Sequence, residues 1–204
     1  PQESTAIRSQ ALFALSRSAV QPDSEVWQVL TLARQPENDA AVKTAAVWAW
    51  CELGRYAELG MVKIPAGDFL MGSDKEMDKQ AYDDEFPQHR LFLPVYYIAR
   101  YPVTVGEWKA YCRSRPYEPE DQDSFELPDN HPVIYITWHE ALDFTRWYGY
   151  GLPSEAEWEK AARGTDGRIY PWGNHWQAGL ANVGESDSIR PRSVLDRLTR
   201  RRRK

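Results

Sequence analysis

The chain has 204 residues, 42% of them hydrophobic and 27% charged, which is the composition of a folded globular protein and excludes a disordered one. Its formal net charge of −5 provides no general attraction for nucleic acid. No apolar run approaches the roughly 20 residues of a membrane span, and the start does not read as a signal peptide. Two cysteines, Cys51 and Cys112, cannot form a disulfide framework. We therefore expect a cytoplasmic protein without nucleic-acid or membrane partners.

The first part of the chain carries an internal repeat. Residues 6–15, AIRSQALFAL, align with residues 41–50, AVKTAAVWAW, at an offset of 35 residues, and the intervening residues 23–35 have helical spacing of apolar side chains. Paired helices with a period in the thirties indicate an α-solenoid and resemble HEAT-like repeats. Three unrelated amphipathic helices are the alternative. Because the chain begins with Pro1 and enters this pattern at once, we expect it to be an excerpt from a larger multidomain protein.

From Met61 the pattern changes to short strands. MVKI, the turn PAG and DFLMG predict a β-hairpin. Residues 73–90 are polar and acidic and predict a loop, and residues 91–99, LFLPVYYIA, predict a strand in which Pro94 marks an edge or a bulge. The chain as a whole is therefore predicted to be an α+β protein, with many loops in its second part.

Three helices follow, and each is predicted to begin with a capping box. The boxes start at Thr104, Thr137 and Ser154, each followed three residues later by a glutamate. In this motif the side-chain hydroxyl of the first residue accepts a hydrogen bond from the backbone N–H of the glutamate. The glutamate side chain in turn accepts one from the backbone N–H of the first residue. Gly149 and Gly164 stand where a left-handed residue ends a helix. These glutamates are predicted to be structural rather than catalytic.

The order of these segments resembles one family. IPAGDFLMGS, HPVIYITWHEALDF, GLPSEAEWEKAARG and IYPWGN occur in the same order in the formylglycine-generating enzyme (sulfatase-modifying factor) family, and the resemblance covers residues 60–184. It implies an irregular, loop-rich variant of the C-type lectin fold. The predicted organisation is a HEAT-like helical segment at 1–59, the N-terminal part of a formylglycine-generating-enzyme-like domain at 60–194, and a basic tail at 195–204.

The resemblance also implies cofactors. Active family members oxidise a sulfatase cysteine with oxygen and a copper ion held by two nearby cysteines, which lie in the C-terminal half of the domain. Here the GNVWEW-type segment and those cysteines are missing, so copper is expected only where that half is present, and no catalytic residue is assigned. Family members also bind calcium at an Ala-Asn-[Ile/Val/Tyr] step, and Ala181-Asn182-Val183 matches it. Asn182 and Val183 are therefore the candidate metal ligands, as oxygen donors for calcium.

A second branch of the family, the ergothioneine-type sulfoxide synthases, uses three histidines to hold iron. The four histidines of this chain are scattered, none precedes residue 60, and no HxxxH pair exists. The sequence therefore lends this branch no support.

Whether this chain is an enzyme is left open by its sequence. It is predicted to be a scaffold or recognition module with a protein or peptide partner and without catalysis. The alternatives are a fragment of a copper-dependent oxidase and a C-type-lectin-like variable ligand-binding protein. The tail LDRLTRRRRK, residues 195–204, is either a basic segment that attracts acidic partners or the out-of-frame product of a frameshift near Ile189.

Overall fold

The structure is a computed structural model that describes Thr5, residues 8–12, Ala14, and residues 24–114 and 123–181. It is a mixed helix and sheet protein, as predicted. Its elements are helices α1 (Ser24–Ala33) and α2 (Ala40–Trp50), strands β1 (Met61–Ile64), β2 (Gly67–Met71), β3 (His89–Leu93) and β4 (Tyr96–Ala99), and helices α3 (Val105–Arg113), α4 (Trp138–Tyr148) and α5 (Glu155–Arg163).

The chain divides into two compact units, each formed by two stretches of sequence. The first unit comprises residues 1–65 and 95–154, and the second comprises residues 66–94 and 155–204. Strands β1 and β4 and helices α1 to α4 belong to the first unit. Strands β2 and β3 and helix α5 belong to the second.

The first unit has two clusters of buried apolar side chains. One joins α1 and α2 through Leu30, three alanines of α2 (Ala45, Ala46 and Ala49) and Trp50. Trp27 packs edge to face on Trp50, at 5.2 Å between ring centroids. The other joins α3 and α4 and is aromatic, with Trp108, Tyr111 and Phe144 in mutual ring contact. Large aromatic rings supply much buried area per residue, so this unit forms a core from few regular elements.

Helices α2 and α4 approach each other closely at a glycine. Gly149 ends α4 in the left-handed conformation, with φ 81°, as its position after the helix predicted. A Cβ at this residue would lie 2.7 Å from the backbone carbon and 2.8 Å from the Cβ of Lys43 in α2. Glycine is therefore required here both for its conformation and for its lack of a side chain.

The predicted hairpin between β1 and β2 is wrong. Strand β1 pairs with β4, with Ile64 opposite Tyr96, while β2 pairs with β3, with Gly67 opposite Leu93, and both pairings are antiparallel. The connection between β1 and β2 has two residues, and such hairpin loops need positive φ at their first central residue. Pro65 occupies that position and cannot adopt positive φ. Both strands instead pair with the segment that follows the acidic loop.

The predicted strand over residues 91–99 is two strands. It breaks at Pro94-Val95, between β3 and β4. Pro94 lacks an N–H to donate to a ladder, so the expectation of an irregularity at this residue is confirmed.

In the second unit, helix α5 packs on β2 of the β2–β3 sheet. Phe69 of β2 is 2% exposed and is one of the largest fully buried side chains among the described residues. The acidic loop closes where the backbone N–H of Ser73 donates to the carbonyl of Glu85, at 2.8 Å. The predicted loop is confirmed for residues 73–88. His89 and Arg90, which were predicted to belong to it, pair with Met71 and Leu70 and begin β3.

The HEAT-like repeat and the domain boundaries at 1–59, 60–194 and 195–204 stay predictions. Part of the first repeat, and the basic tail, lie outside the described residues. Within the part of the chain that the structure describes, no helix has both the length and the apolar character needed to cross a membrane.

Substituting Gly149 tests the contact between α2 and α4. Gly149→Ala is expected to lower the free energy of unfolding by about 2–4 kcal/mol, because it adds backbone strain and a clash with Lys43. Gly151→Ala is the matched control, since a Cβ there meets no atom within 4 Å. Chemical denaturation of both variants measures the difference. Equal unfolding free energies for the two variants would contradict the contact.

Candidate functional site

The predicted capping boxes of α3 and α4 are confirmed. The backbone N–H of Thr104 donates to Glu107 at 2.8 Å, and that of Thr137 donates to Glu140 at 2.7 Å. The hydroxyl of each threonine accepts the N–H of its own glutamate, at 3.3 and 3.2 Å. These two carboxylates therefore satisfy helix ends, as expected.

The motif GLPSEAEWEKAARG forms α5, whose charged side chains hold the backbone of the β2–β3 hairpin. Glu159 accepts the N–H of Gly72 at 2.8 Å, and Arg163 donates to the carbonyl of Gly72 at 3.2 Å from each of two nitrogens. The two side chains form an ion pair at 2.6 Å, and each is only 15% exposed. Lys160 donates to the carbonyl of Gly67 at 2.9 Å. These side chains, the α5 array, therefore bind backbone groups of the protein itself.

Sequence reasoning did not find this role of Glu159 and Arg163. Their spacing of four residues predicts only an ordinary pair on a helix surface. The structure shows why a glycine stands at position 72, where the array binds. Gly72 has a φ of 83° and lies so close to Glu85 that there is no room for a side chain. A Cβ at Gly72 would lie 2.7 Å from the carbonyl oxygen of Glu85.

Both cysteines are free and buried. Cys51, at the end of α2, is 2% exposed, and Cys112, in α3, is 9% exposed and belongs to the aromatic cluster. Burial raises the pKa of the Cys51 thiol to about 11, with a further rise from the charge of Glu52. Burial also raises the pKa of Cys112, and the charge of Glu140 adds to the rise. Both thiols are therefore neutral at physiological pH.

These thiols do not fit the copper site that the family resemblance implies. A metal-binding cysteine must be a thiolate, and thiolates form where nearby cations or a metal lower the pKa. Here the pKa of each cysteine is raised instead. Among the residues that the structure describes, no group of three or more His, Cys, Asp or Glu side chains is placed to hold a metal ion.

The four histidines are exposed and have local contacts. Nδ1 of His89 lies 3.0 Å from the carbonyl oxygen of Pro87, and the ring of His139 packs edge to face on Trp138. The carbonyl of His131 accepts the N–H of Val105 at 2.8 Å, while His175 accepts the indole N–H of Trp172 through its carbonyl at 3.1 Å. These contacts are structural.

The motif IYPWGN forms a tight turn. Tyr170 and Gly173 exchange two backbone hydrogen bonds, at 2.8 and 3.0 Å, and Asn174 accepts the N–H of Ile169 at 3.1 Å. The rings of Tyr170 and Trp172 stack at 5.4 Å. The candidate calcium ligands Asn182 and Val183 follow Ala181, the last described residue, and so lie outside the described residues. The calcium site therefore stays a prediction.

Comparison with known proteins assigns the family. A model of the sulfatase-modifying factor enzyme 1-like domain (FGE-sulfatase) matches residues 53–195, well over half of the chain. The chain belongs to the FGE-sulfatase domain family. The match contains all of the motifs described above, and it includes both the α5 array and the IYPWGN turn.

Relatives of the FGE-sulfatase chain have different names. It is 31% identical to the formylglycine-generating enzyme of Bos taurus, over 57% of the chain and 43% of that protein. It is 28% identical to the inactive C-alpha-formylglycine-generating enzyme 2 of Bos taurus, over 66% and 59%. It is 31% identical to the hercynine oxygenase of Mycolicibacterium smegmatis, over 65% and 39%. The chain thus spans less than two thirds of the length of each of these relatives.

A solved structure is similar as well. The structure of PvdO from Pseudomonas aeruginosa matches with a TM-score of 0.51 and 26% sequence identity, over 59% of this chain and 52% of that one. The family is therefore supported by sequence and by fold.

Thiol reactivity tests the burial of the cysteines. At about pH 8, alkylation of Cys51 is expected to be about 100-fold slower in the native protein than in denaturant, because its raised pKa leaves little thiolate and burial excludes the reagent. Since the unfolded thiol ionises near pH 9 and the folded one near 11, the free energy of unfolding is expected to fall across that window. Mass spectrometry after iodoacetamide treatment measures the labelling. Equal rates in the native and denatured states would contradict the burial of Cys51.

Removing Arg163 tests the α5 array. Arg163→Ala is expected to lower the free energy of unfolding by about 2–4 kcal/mol, because it leaves the half-enclosed carboxylate of Glu159 without its cation. Arg90→Ala removes another arginine from an ion pair, with Asp68 at 3.4 Å, but there the two side chains are 73% and 47% exposed. This control is expected to change stability by less than about 0.5 kcal/mol. Urea titrations measure the unfolding free energy of both variants. If the two variants lose similar amounts, the Glu159–Arg163 pair is an ordinary surface ion pair.

Proposed function

We propose that this chain is a recognition or scaffold module built on a formylglycine-generating-enzyme-like domain, and that it does not catalyse an oxidation by itself. The observation that carries the proposal is the state of its two cysteines. Both are buried and both have raised pKa values, so neither supplies the thiolate that copper chemistry needs. Fold alone does not assign chemistry when the reacting groups are of the wrong kind.

The relatives are compatible with this proposal. They include a protein named as an inactive formylglycine-generating enzyme, besides proteins named as enzymes. We extend the first property to this chain because its thiols are of the structural type. We also propose that the domain has a C-type-lectin-like fold and follows HEAT-like repeats in a larger cytoplasmic protein. Asn182 and Val183 are proposed to bind a calcium ion that stabilises the domain.

The partner proposed is a protein or a peptide. Several large aromatic side chains are exposed on the described surface, among them Tyr101 at 72%, Trp138 at 62% and Trp158 at 62%. Tyrosine and tryptophan are the residue types enriched at protein interfaces. They support recognition of a protein rather than transport of a small solute.

A second function is favoured by the 31% identity to the bovine formylglycine-generating enzyme. In that reading the chain is a fragment of a copper-dependent oxidase that converts a sulfatase cysteine to formylglycine. A third reading, a variable ligand-binding protein of the lectin-like type, predicts binding without turnover.

A turnover assay separates these functions. The chain is incubated with copper, oxygen and a peptide that contains Cys-X-Pro-X-Arg, and the peptide is followed by mass spectrometry together with oxygen uptake. We expect an unchanged peptide and no uptake above the copper-only background, while the bovine enzyme under the same conditions converts the peptide. Conversion by this chain that is lost in Cys51→Ala or Cys112→Ala would overturn the proposal in favour of the oxidase.

A further inference from the structure

The turn that follows α5 contains an aspartate followed by a glycine, Asp166-Gly167, and no other Asp-Gly step occurs in the sequence. Such a step favours intramolecular attack of the glycine nitrogen on the aspartate side chain, because no side chain on the glycine shields its backbone N–H. The reaction leads to isoaspartate, in which the main chain runs through the side-chain carboxyl. Asp166 is 58% exposed, so water reaches this residue.

The fold favours a glycine at residue 167. Its φ is 72°, in the left-handed region that L side chains rarely adopt. A Cβ at this residue would lie 3.1 Å from Cδ1 of Leu70 and 3.1 Å from Nε2 of Gln88, which leaves little room for a side chain. The second unit therefore carries an Asp-Gly step whose glycine cannot be replaced without strain.

Both carboxylate oxygens of Asp166 are bound by Arg168. Nε of Arg168 donates to Oδ1 and Nη2 donates to Oδ2, each at 2.8 Å. The backbone N–H of Arg168 also donates to Oδ1, at 3.4 Å. The guanidinium has a second anchor, since its Nη1 donates to the carbonyl of Pro171 at 3.3 Å. The carboxylate is therefore held toward Arg168 by a bidentate, charge-assisted pair.

The backbone beside this pair is held as well. Arg163 of α5 donates to the carbonyl of Gly167 at 3.3 Å and to the carbonyl of Arg168 at 2.6 Å. Closure of a ring between Asp166 and Gly167 requires rotation of the backbone between them, and these hydrogen bonds oppose that rotation. One arginine thus restrains the backbone of the step, while another binds its carboxylate.

We propose that Asp166 is a site of isomerisation to isoaspartate and that its ion pair with Arg168 slows this reaction in the folded chain. In the first step a bond forms between the backbone nitrogen of Gly167 and Cγ of Asp166. The C–OH bond of the protonated carboxyl breaks, and the hydroxyl leaves with the amide proton as water. Water then opens the cyclic imide at either carbonyl and yields aspartate or isoaspartate. No oxidant, reductant or cofactor is consumed, and the mass of the chain is unchanged.

Arg168 slows the reaction because ring closure starts from the protonated carboxyl, whose hydroxyl can leave, whereas the carboxylate has no such leaving group. The hydrogen bonds that Arg168 donates favour the carboxylate and lower the pKa of Asp166 to about 2. Isoaspartate would add one carbon to the main chain and displace the carbonyls that Arg163 binds. This inference goes beyond the proposed function and does not depend on whether the chain is a catalyst.

The rate of isoaspartate formation tests the proposal. The chain is kept at about 37 °C and near neutral pH, either folded or in guanidinium chloride, and isoaspartate is quantified by enzymatic methylation with labelled S-adenosylmethionine. Peptide mapping locates it, because Asp-N protease cleaves before aspartate and not before isoaspartate. We expect isoaspartate at Asp166, and we expect it to form at least about tenfold more slowly in the folded chain than in the denatured one.

Matched variants isolate the contribution of Arg168. Arg168→Gln is expected to raise the rate in the folded chain at least about tenfold, because the pKa of Asp166 returns toward its ordinary value. Arg168→Lys keeps the charge without the planar fork, so its rate is expected to be intermediate. Arg90→Gln removes an arginine from the exposed ion pair with Asp68 in the same unit, and it is expected to leave the rate at Asp166 unchanged. Thermal unfolding shows whether each variant retains the fold.

Three results would each overturn the proposal. The first is an equal rate at Asp166 in the folded and the denatured parent chain. The second is a folded Arg168→Gln variant that reacts no faster than the parent, and the third is isoaspartate that forms only at other aspartates. If Arg168→Gln does not fold, Arg168→Lys decides in its place, and a rate equal to that of the parent overturns the proposal. None of these results bears on turnover of a cysteine peptide, so a failure here is distinct from a failure of the proposed function.

Discussion

The conformation of the second unit depends on one charged pair that binds backbone. Glu159 and Arg163, one turn apart on α5, hold the N–H and the carbonyl of Gly72, and Arg163 also donates to the carbonyl of Arg168 at 2.6 Å. The side chains of Glu159 and Arg163 thereby join the end of β2 to the segment that follows α5. A half-enclosed pair of this kind is costly to break, because either partner alone would leave a charge without compensation. The motif that identifies the family is therefore a structural device.

This arrangement separates family membership from function. The residues that make the chain recognisable cap helices, hold the β2–β3 pair and form a tight turn. The two thiols of the chain, Cys51 and Cys112, are buried, and burial raises the pKa of both. Membership of the FGE-sulfatase family supports the mixed helix and sheet fold and does not by itself assign a chemistry.

Local sequence rules predicted the helices well, because a capping box is decided within four residues. Thr104 and Thr137 cap α3 and α4 as predicted, and Gly149 and Gly164 are left-handed. The strand pairing was not predictable in the same way. The segment PAG looks like a turn, but Pro65 fixes a φ that a two-residue hairpin cannot use, so the partner strands come from beyond the acidic loop.

The packing of α2 against α4 was beyond the reach of sequence reasoning for a related reason. The two helices come from distant parts of the chain, and no motif links Lys43 to Gly149. In the structure, the backbone of Lys43 lies directly against Gly149. The sequence marked Gly149 as a helix end, and it contained no signal that α2 would be the neighbour.

The proposal that this chain does not catalyse an oxidation rests on the buried, protonated state of its two thiols. Titration of the reduced native protein with Cu(I), in competition with a chromophoric Cu(I) chelator, tests it directly. We expect that the native chain does not compete with the chelator for Cu(I), and that the unfolded chain, whose thiols are exposed, competes more strongly. Stoichiometric retention of Cu(I) by the native chain, lost in both Cys51→Ala and Cys112→Ala, would contradict it and make the oxidase the better reading.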